Sequence, residues 1–486
     1  MKYLTTIGLE VHVQLKTRSK MFCACPVEFG AQPNSHTCPT CLGLPGGLPV
    51  INSEAVRLTI LTGLMLGCDI PKHSKFDRKN YFYPDMPKNY QISQYDLPLC
   101  RDGSVPLHEM AYPKETQIRK EAVEKKIPLV RIHLEEDVAR SFHFENSTGI
   151  DCNRAGAPLM EIVTQPEIGS PEEAFAFLTS LKQILLYGGI SDADMEKGQL
   201  RCDCNVSIRP PGQKELGAKI EIKNLNSISG VRRALAYEVE RQQAALDRGE
   251  KLKQETRGWD DDAGETFLMR TKEEAHDYRY FADPDLMPIE TESLVRELSA
   301  NLPESPEAKR ERFVTGYGLS SYDAGVLASD AALADYFEKA AQGAKNAKTI
   351  ANWVLNDLQS ALATNRLSLS EARVVPASLT KLIGLIEDGK ISGTQAREVF
   401  SEMFASGKEA DAIVREKGME QLSDESALEA LCDRVIAENP KPVADFRSGN
   451  AASLNFLKGQ VMKLSGGTAN PKIVGEILQR KAGGQS

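Results

Sequence analysis

The chain has 486 residues, a length typical of two to four domains of about 100–200 residues each. Its 41% hydrophobic and 26% charged residues are those of an ordinary globular protein and argue against global disorder. The formal net charge of −9 confines any nucleic-acid footprint to a local patch, and no apolar run approaches the ~18 residues of a membrane helix.

The first predicted element is a half-buried β-strand near the N-terminus. Residues 7–15 alternate strictly between apolar and polar side chains, which places Glu10, His12 and Gln14 on one face of the strand. These polar residues come too early to leave room for the apolar core of a signal peptide. We therefore expect an intracellular, cytoplasmic protein.

Four cysteines follow in two close pairs, Cys23 with Cys25 and Cys38 with Cys41. The segment between the pairs contains Pro, Gly, Asn and Ser, so it can fold around an ion without a hydrophobic core of its own. In a cytosolic protein this clustering favours a tetrahedral structural zinc site. Two other interpretations stay open, namely four reduced thiols in a loop or a disulfide framework.

The middle of the first half combines a strand, a turn and a helix. Residues 130–137 alternate in polarity and end in three acids, where Glu136 has the parity of the apolar positions and is therefore either buried or turned by the strand end. Residues 151–161 predict a sharp turn. Ser170, Pro171 and Glu173 predict a helix start with a capping box, and Gly188 predicts its end.

Two further strands carry polar faces, and a helix is predicted from about residue 229 to 246. The polar positions of residues 201–209 and 219–224 are Arg201, Asp203, Asn205, Ser207, Arg209, Lys219, Glu221 and Lys223. Carboxylates beside an imidazole suit a divalent cation that holds substrate phosphates, and the lysines could neutralise a triphosphate. For any one strand a solvated polar face is the alternative, but four such strands together favour a site.

The character of the sequence changes after the strands. From about residue 294 the segments are Ala-rich, charged and helically periodic, with further breaks near residues 407 and 440. We predict an α+β fold with a mixed α/β catalytic domain whose sheet is largely antiparallel, an all-α helical domain and a small helical tail domain. The predicted ranges are 1–293, 294–406 and 407–486.

Several common catalytic motifs are absent from the sequence. There is no Walker-type phosphate loop, no G-x-G-x-x-G and no G-x-S-x-G. Neither an amidase Gly-Ser-Ser-Gly stretch nor a Cys–His glutaminase pair is present. If the protein uses a nucleotide, side chains and metal must hold the phosphates.

Six segments in order closely resemble the B-subunit (GatB) family of the bacterial aspartyl/glutamyl-tRNA(Asn/Gln) amidotransferases, and the resemblance covers the whole chain. They are residues 7–15, 81–85, 134–137, 153–158, 201–207 and 221–227. The resemblance implies a heterotrimer in which an amidase A subunit releases ammonia from glutamine and a small C subunit braces the pair. It implies that this chain phosphorylates the side-chain carboxylate of mischarged Glu-tRNA(Gln) or Asp-tRNA(Asn), and that ammonia then displaces phosphate.

The resemblance also implies a cradle-shaped catalytic domain and a set of functional residues, with ATP, Mg²⁺ and a structural Zn²⁺ as cofactors. The residues expected at Mg²⁺ are Glu10, His12, Glu135, Glu136 and Glu221, with all but Glu135 assigned as catalytic. The expected ATP or substrate contacts are Lys79, Asn153, Arg154, Asp203, Ser207 and Lys223. Zinc is expected on Cys23, Cys25, Cys38 and Cys41, and tRNA backbone on Lys458, Lys463 and Lys472 of the tail.

Two other functions compete with this one. A zinc-stabilised, non-catalytic tRNA-binding scaffold could deliver charged tRNA to an enzyme, but clustered carboxylates would repel nucleic-acid phosphates. A free tRNA ligase that works through an adenylate is disfavoured, because the sequence lacks HIGH-like and KMSKS-like signatures.

Overall fold

The computed structural model describes residues 3–271, 277–419, 425–465 and 469–483. The chain divides into two compact units, Met1–Pro306 and Glu307–Ser486. Every strand within the described residues belongs to the first unit, and the second unit is built from helices. The α+β fold class, with a largely antiparallel sheet followed by a helical region, is therefore confirmed.

In its described residues, the first unit contains the strands and five α-helices. The strands are β1 (Leu4–Gln14), β2 (His73–Ser74), β3 (Asp77–Asn80), β4 (Tyr90–Ser93), β5 (Cys100–Arg101), β6 (Ser104–Leu107), β7 (Lys125–Glu136), β8 (Arg140–His143), β9 (Thr148–Asp151), β10 (Pro158–Thr164), β11 (Leu200–Arg209), β12 (Ile220–Lys223), β13 (Glu255–Asp260), β14 (Glu265–Thr271), β15 (Phe281–Ala282) and β16 (Ile289–Glu290). The helices are α1 (Ser53–Met65), α2 (Lys114–Ile118), α3 (Pro171–Tyr187), α4 (Ile228–Asp247) and α5 (Glu292–Ala300), with a 3₁₀-helix at Glu109–Ala111.

The remaining helices run from Pro306 onwards. They are α6 (Pro306–Tyr317), α7 (Ser321–Ala328), α8 (Ala331–Ala341), α9 (Ala347–Asn352), a π-helix (Trp353–Leu358), α10 (Gln359–Asn365), a 3₁₀-helix (Leu369–Glu371), α11 (Pro376–Glu387), α12 (Gly393–Ser406), α13 (Ala410–Lys417), α14 (Glu425–Glu438), α15 (Pro440–Arg447), α16 (Ala451–Leu464) and α17 (Pro471–Ala482). No helix in the described ranges is long and apolar enough to cross a bilayer.

A nine-stranded sheet organises the first unit. Its strand order is β14-β13-β12-β11-β1-β10-β7-β5, with β6 also paired to β7. The pairings are antiparallel except for the parallel pair β12 and β13. A small three-stranded sheet, β15-β3-β4, stands beside the end of β7. The central strand β1 therefore has a neighbour on each side along most of its length.

The two faces of the large sheet differ because polarity alternates along its strands. Ile7, Leu9, Val11 and Val13 are buried on one side, the apolar face, in a core that also includes residues of α1, α3 and α4. The side chains between them, including His12, point to the opposite, polar face. The four strands predicted from this alternation are present as β1, β7, β11 and β12.

Helix α3 forms where its N-terminal signals predict it. Ser170 is the N-cap, and its hydroxyl accepts a hydrogen bond of 3.1 Å from the backbone N–H of Glu173. The Glu173 carboxylate accepts from the N–H of Gly169 rather than from that of Ser170, so the predicted reciprocal capping box is incomplete. The helix ends at Tyr187, followed by Gly188 as predicted.

The second unit has two separate hydrophobic clusters. One extends from Phe313 to Val414 and the other from Leu428 to Ala482 among the described residues. Because α13 packs in the first cluster, the change between clusters comes later than the predicted boundary at residue 407. Likewise, Leu298 of α5 packs in the core of the first unit, beyond the predicted boundary at 293. The division into three domains stays a prediction.

Candidate functional site

The polar face of the large sheet carries a cleft of about 950 Å³, within the usual size range of small-molecule sites. Its walls come from β1, β3, β7, β10, β11, β12 and β14. The segments that follow β4, precede β13 and precede β15 complete them. Acidic, basic and aromatic side chains line it: Glu10, His12, Lys79, Gln94, Tyr95, Arg131, His133, Glu161, Asp203, Lys219, Glu221, Lys223, Gln254, Arg270, Thr271, Tyr278 and Tyr280.

Three side chains converge to form what we call the acid–imidazole trio: His12, Glu135 and Glu161. One potential ligand atom from each lies within 4.8 Å of the others. Nε2 of His12 is 3.3 Å from a Glu161 oxygen and 3.9 Å from a Glu135 oxygen. Strand register explains the encounter, since His12 of β1 lies directly opposite Glu161 of β10.

A second imidazole supports the trio. His133 of β7 lies opposite Glu161, and its Nε2 is 3.6 Å from Glu161 and 3.7 Å from Glu135. Burial would raise the pKa of Glu161, but the His133 and His12 imidazoles outweigh this effect and lower it. Burial opposes protonation of His12, yet its hydrogen bond to Glu161 raises the pKa of His12. The Glu161 carboxylate is thus held in its charged form, which is the form that binds a metal ion.

A second acidic group lies towards β11 and β12. Glu10 accepts a hydrogen bond of 2.9 Å from the amide of Asn205. The ammonium of Lys223 pairs with Asp203 and lies 3.3 Å from Glu221. The Lys223 ammonium thus offsets part of the negative charge of the Asp203 and Glu221 carboxylates.

Lys79 brings a cation to the trio from β3. Burial would lower the pKa of Lys79, but the carboxylate of Glu135 raises it above its usual value, so the side chain stays charged. Its Nζ also lies 4.9 Å from the ring centre of Tyr278. Cations on one side and carboxylates on the other are what a phosphate chain with a divalent cation requires.

Glu136 does not join the other residues expected at Mg²⁺. It follows Glu135 directly in β7, and its carboxylate pairs with Lys88 and accepts a hydrogen bond of 3.0 Å from the N–H of Ile92. It lines a small separate pocket that also contains Cys41. Consecutive strand residues point to opposite faces, so the parity of Glu136 with the apolar positions is the physical reason for this difference.

Three of the expected ATP or substrate contacts also lie outside the lining of the cleft. The side-chain amide of Asn153 accepts from the N–H of His36 at 2.8 Å and donates to the Gln32 carbonyl at 2.6 Å. Arg154 donates to two backbone carbonyls, those of residues 138 and 139. Ser207 is buried, and its hydroxyl has no hydrogen-bond partner in the described part of the chain. Of the expected contacts, Lys79, Asp203 and Lys223 line the cleft.

The four cysteines meet in a loop, residues 23–41, which we call the cysteine loop. Their Sγ atoms all lie within 4.8 Å of one another, and those of Cys38 and Cys41 are 3.8 Å apart. Four sulfurs bound to zinc at about 2.3 Å would be about 3.8 Å apart, so the donor set fits a tetrahedral Zn²⁺. A hydrogen bond from Cys23, with help from the Lys20 ammonium, lowers the pKa of Cys41 to about 4.

Hydrogen bonds from two asparagines hold the cysteine loop against residues 150–153. Asn34 adopts a left-handed backbone with φ of 59°. Its side chain donates to the Ile150 carbonyl and accepts from the N–H of Cys152. From residues 150–153, the side chain of Asn153 bonds in turn to the backbone of His36 and Gln32 in the loop. The buried Lys20 ammonium lies 3.0 Å from the Cys152 carbonyl and 3.5 Å from Sγ of Cys41.

The expected tail lysines lie on two helices, α16 and α17. Lys463 and Lys472 are exposed. Lys458 is half-buried, and its side chain lies over Gly475 of α17. Two of the three ammonium groups are therefore openly accessible to a polyanion.

Sequence reasoning missed Glu161 and His133 as partners of the site. Both alternate with buried apolar neighbours, as in Met160-Glu161-Ile162, and this signal was present in the sequence. It could not identify them alone, because their meeting with His12 depends on the pairing of β1, β10 and β7.

The chain is similar to proteins of a known family along nearly its whole length. Residues 5–297 match the family described as the GatB/GatE catalytic domain, and residues 335–481 match the GatB domain. A protein of Methylacidiphilum infernorum, named as the B subunit of aspartyl/glutamyl-tRNA(Asn/Gln) amidotransferase, is 56% identical over 483 residues, 99% of each chain. Proteins of the same name are 49% identical in Carboxydothermus hydrogenoformans, over 99% of each chain, and 47% identical in Thermodesulfovibrio yellowstonii, over 98% of this chain and 99% of the relative.

Proposed function

Because the chain belongs to the GatB family, with a GatB/GatE catalytic domain, we propose that it is the B subunit of an aspartyl/glutamyl-tRNA(Asn/Gln) amidotransferase. It acts as a carbon–nitrogen ligase in protein biosynthesis, in the cytoplasm, within a heterotrimer. Its partners are an amidase A subunit and a small C subunit. Its substrates are ATP and mischarged Glu-tRNA(Gln) or Asp-tRNA(Asn).

The observation that carries this proposal is the acid–imidazole trio, two of whose members, His12 and Glu161, line the same cleft as cationic side chains. Two buried carboxylates and an imidazole offer three ligand atoms to a divalent cation. Lys79 and Lys223 line the same cleft, at positions from which they can neutralise phosphate oxygens. A protein that only binds RNA gains nothing from buried carboxylates placed next to phosphates.

The proposed reaction has two steps. The side-chain carboxylate of the mischarged amino acid attacks the γ-phosphorus of ATP, an acyl phosphate forms and ADP leaves. Ammonia then attacks the activated carbonyl carbon and inorganic phosphate leaves, which gives Gln-tRNA(Gln) or Asn-tRNA(Asn). Because the sequence has no glutaminase motif, the partner amidase supplies the ammonia.

The protein's own groups mainly position reactants and neutralise charge, as phosphoryl transfer requires. His12, Glu135 and Glu161 would hold Mg²⁺, which supplies charge neutralisation for the phosphate oxygens. Lys79 stays protonated and orients the phosphate chain from the β3 side. Glu10, two residues before His12 in β1, and Glu221 of β12 also line the cleft and offer further ligands or proton acceptors.

The cysteine loop has a structural role in this proposal. Four cysteine ligands leave no open coordination position for a substrate, so its Zn²⁺ would stabilise the loop rather than act in the reaction. The exposed tail lysines, Lys463 and Lys472, would contact the tRNA backbone.

The test is ADP release by the chain co-purified with its A and C partners, with ammonium supplied in place of glutamine. We expect release that requires mischarged tRNA and falls about 100-fold or more in Glu161→Gln, which keeps the shape but removes the charge. Glu145→Gln, an exposed acid in the loop between β8 and β9, is the matched control and should match wild type. ADP release that does not require tRNA, or that survives Glu161→Gln, would mean that the trio is not the site of phosphoryl transfer to the mischarged amino acid. That result would favour the non-catalytic scaffold.

A further inference from the structure

Three tyrosines form one wall of the cleft, which we call the tyrosine wall: Tyr95, Tyr278 and Tyr280. The rings of Tyr95 and Tyr280 are stacked, with centres 4.4 Å apart and planes inclined by 12°. Tyr278 meets Tyr280 edge to face, with centres 6.1 Å apart. Apart from these rings, the described residues that line the cleft have polar or charged side chains.

The wall is held rigidly from the backbone. The N–H of Tyr95 donates to the buried Asp77 carboxylate at 3.0 Å. The side-chain amide of Asn80 donates to the carbonyl of Arg279 at 2.8 Å, which fixes the chain between the other two tyrosines. Strand β15, which follows directly, pairs with β3. A ring presented by anchored backbone loses little conformational freedom when a ligand stacks on it.

The wall remains available to a ligand even though its rings contact each other. Tyr95 is 56% exposed despite its stack with Tyr280. A tyrosine pair that served only to pack the fold would bury most of this apolar area. Instead the outer surface of the stack borders a polar cleft, where it offers an aromatic platform to a planar group.

The position of the tyrosine wall relative to the trio indicates which chemical class of ligand the cleft would bind. Lys79 lies over the Tyr278 ring, with its Nζ 4.9 Å from the ring centre, and lines the same cleft as His12 and Glu161 of the trio. The aromatic platform, the phosphate-neutralising cation and the candidate metal site thus follow one another along the cleft. This order fits a nucleoside whose base stacks on the wall while its phosphate points to Lys79 and the trio.

We propose that the tyrosine wall binds an adenine base through stacking on the Tyr95–Tyr280 pair. The inference rests on the proposed function, in which the cleft receives two adenosines, that of ATP and the 3′-terminal adenosine of tRNA. Proteins commonly hold a base by stacking it on aromatic side chains, an interaction that needs no exact hydrogen-bond geometry.

The test measures affinity rather than turnover, so it does not depend on the proposed reaction. With the full-length chain, equilibrium binding is compared for ATP against inorganic tripolyphosphate, and for tRNA with its terminal adenosine against tRNA without it. Each comparison isolates the contribution of one adenine. It is repeated in Tyr95→Leu, in Tyr280→Leu and in the ring-preserving Tyr280→Phe.

We expect the leucine variants to reduce one of the two affinity ratios by about 5- to 100-fold, the usual range for loss of a stacking ring, and Tyr280→Phe to keep it. A fall in the ATP ratio identifies the nucleotide as the source of the base, and a fall in the tRNA ratio identifies the terminal adenosine. Phe144→Leu, an aromatic of 64% exposure in the loop between β8 and β9, is the control for loss of an exposed ring.

Unchanged ratios in both leucine variants, or a wild-type chain that shows no preference for either adenosine, would overturn the inference. Because Tyr95 is exposed, its leucine variant retains the folded core and gives a valid answer even if Tyr280→Leu unfolds. Absence of tRNA-dependent ADP release would contradict the proposed function separately, whatever the ratios are.

Discussion

The cysteine loop and the acid–imidazole trio hold metal-binding side chains in opposite ways. The four thiols come from one short loop, most of them partly exposed, and hydrogen bonds from Asn34 and Asn153 attach this loop to its neighbours. The trio comes from β1, β7 and β10, and its two carboxylates are at most 9% exposed. One cluster depends on local chain geometry, and the other depends on the pairing of three strands far apart in sequence.

The difference has an energetic consequence. A loop site can form or disappear while the surrounding fold stays intact, because few long-range contacts depend on it. The trio cannot change without the sheet, yet the sheet does not need the trio, since its stability comes from the apolar face. We therefore expect variants of the trio to lower activity with little loss of stability, and variants of the cysteine loop to lower local stability with little loss of activity.

The largest effect is expected for His12→Ala, which removes the imidazole of the trio. ADP release by the heterotrimer should fall about 100-fold or more, because a divalent cation loses a ligand next to the transferred phosphoryl group. The zinc content of the purified chain should stay at the wild-type value when measured by metal analysis. A parallel loss of zinc would show that the two clusters are coupled and would contradict their independence.

The next effect distinguishes two neighbours in sequence. Glu135→Gln should weaken Mn²⁺ binding at the cleft by about 10- to 100-fold, whereas Glu136→Gln should leave it unchanged, because their carboxylates lie on opposite faces of β7. Titration with Mn²⁺ followed by electron paramagnetic resonance measures both. Equal losses in the two variants would place Glu136 at the metal and contradict its pairing with Lys88.

A smaller effect on activity is expected at the cysteine loop. Cys38→Ser should abolish stoichiometric zinc binding and lower Tm, by about 2–4 °C for each kcal/mol of stability lost. ADP release should stay within about threefold of wild type at temperatures below the transition. Metal analysis and calorimetry check the first two quantities, and a loss of ADP release comparable to that of His12→Ala would make zinc part of the reaction.

The smallest effect concerns the attachment of that loop. Asn34→Gly should cost about 1–2 kcal/mol through its lost hydrogen bonds. Asn34→Ala should cost about 1–2 kcal/mol more, because alanine is strained at a φ of 59°. The rate of zinc release to a chelator reports both changes. Equal rates in the two variants would show that the left-handed backbone carries no strain.

The two clusters also differ in how far the sequence could reveal them. The cysteine spacing and the alternation around Glu10 and His12 are local patterns, and they predicted the thiol cluster and the polar strand face. The role of Glu161 depends on its register opposite His12, which no local pattern encodes. The resemblance implied an ATP or substrate contact for Asn153, and in the structure its side chain bonds to the cysteine loop, a long-range contact that the local turn pattern does not encode.

Glu135 and Glu136 are adjacent carboxylates on opposite sides of one sheet, and this arrangement constrains the gene as well as the protein. Adding or deleting a single codon within β7 would exchange the faces of every residue beyond it. An added codon before Leu134 would put Leu134 at the position of Glu135, and the trio would lose a carboxylate. We expect the length of this strand to stay fixed in the gene, and insertions to be accepted instead in the exposed loop at residues 144–147.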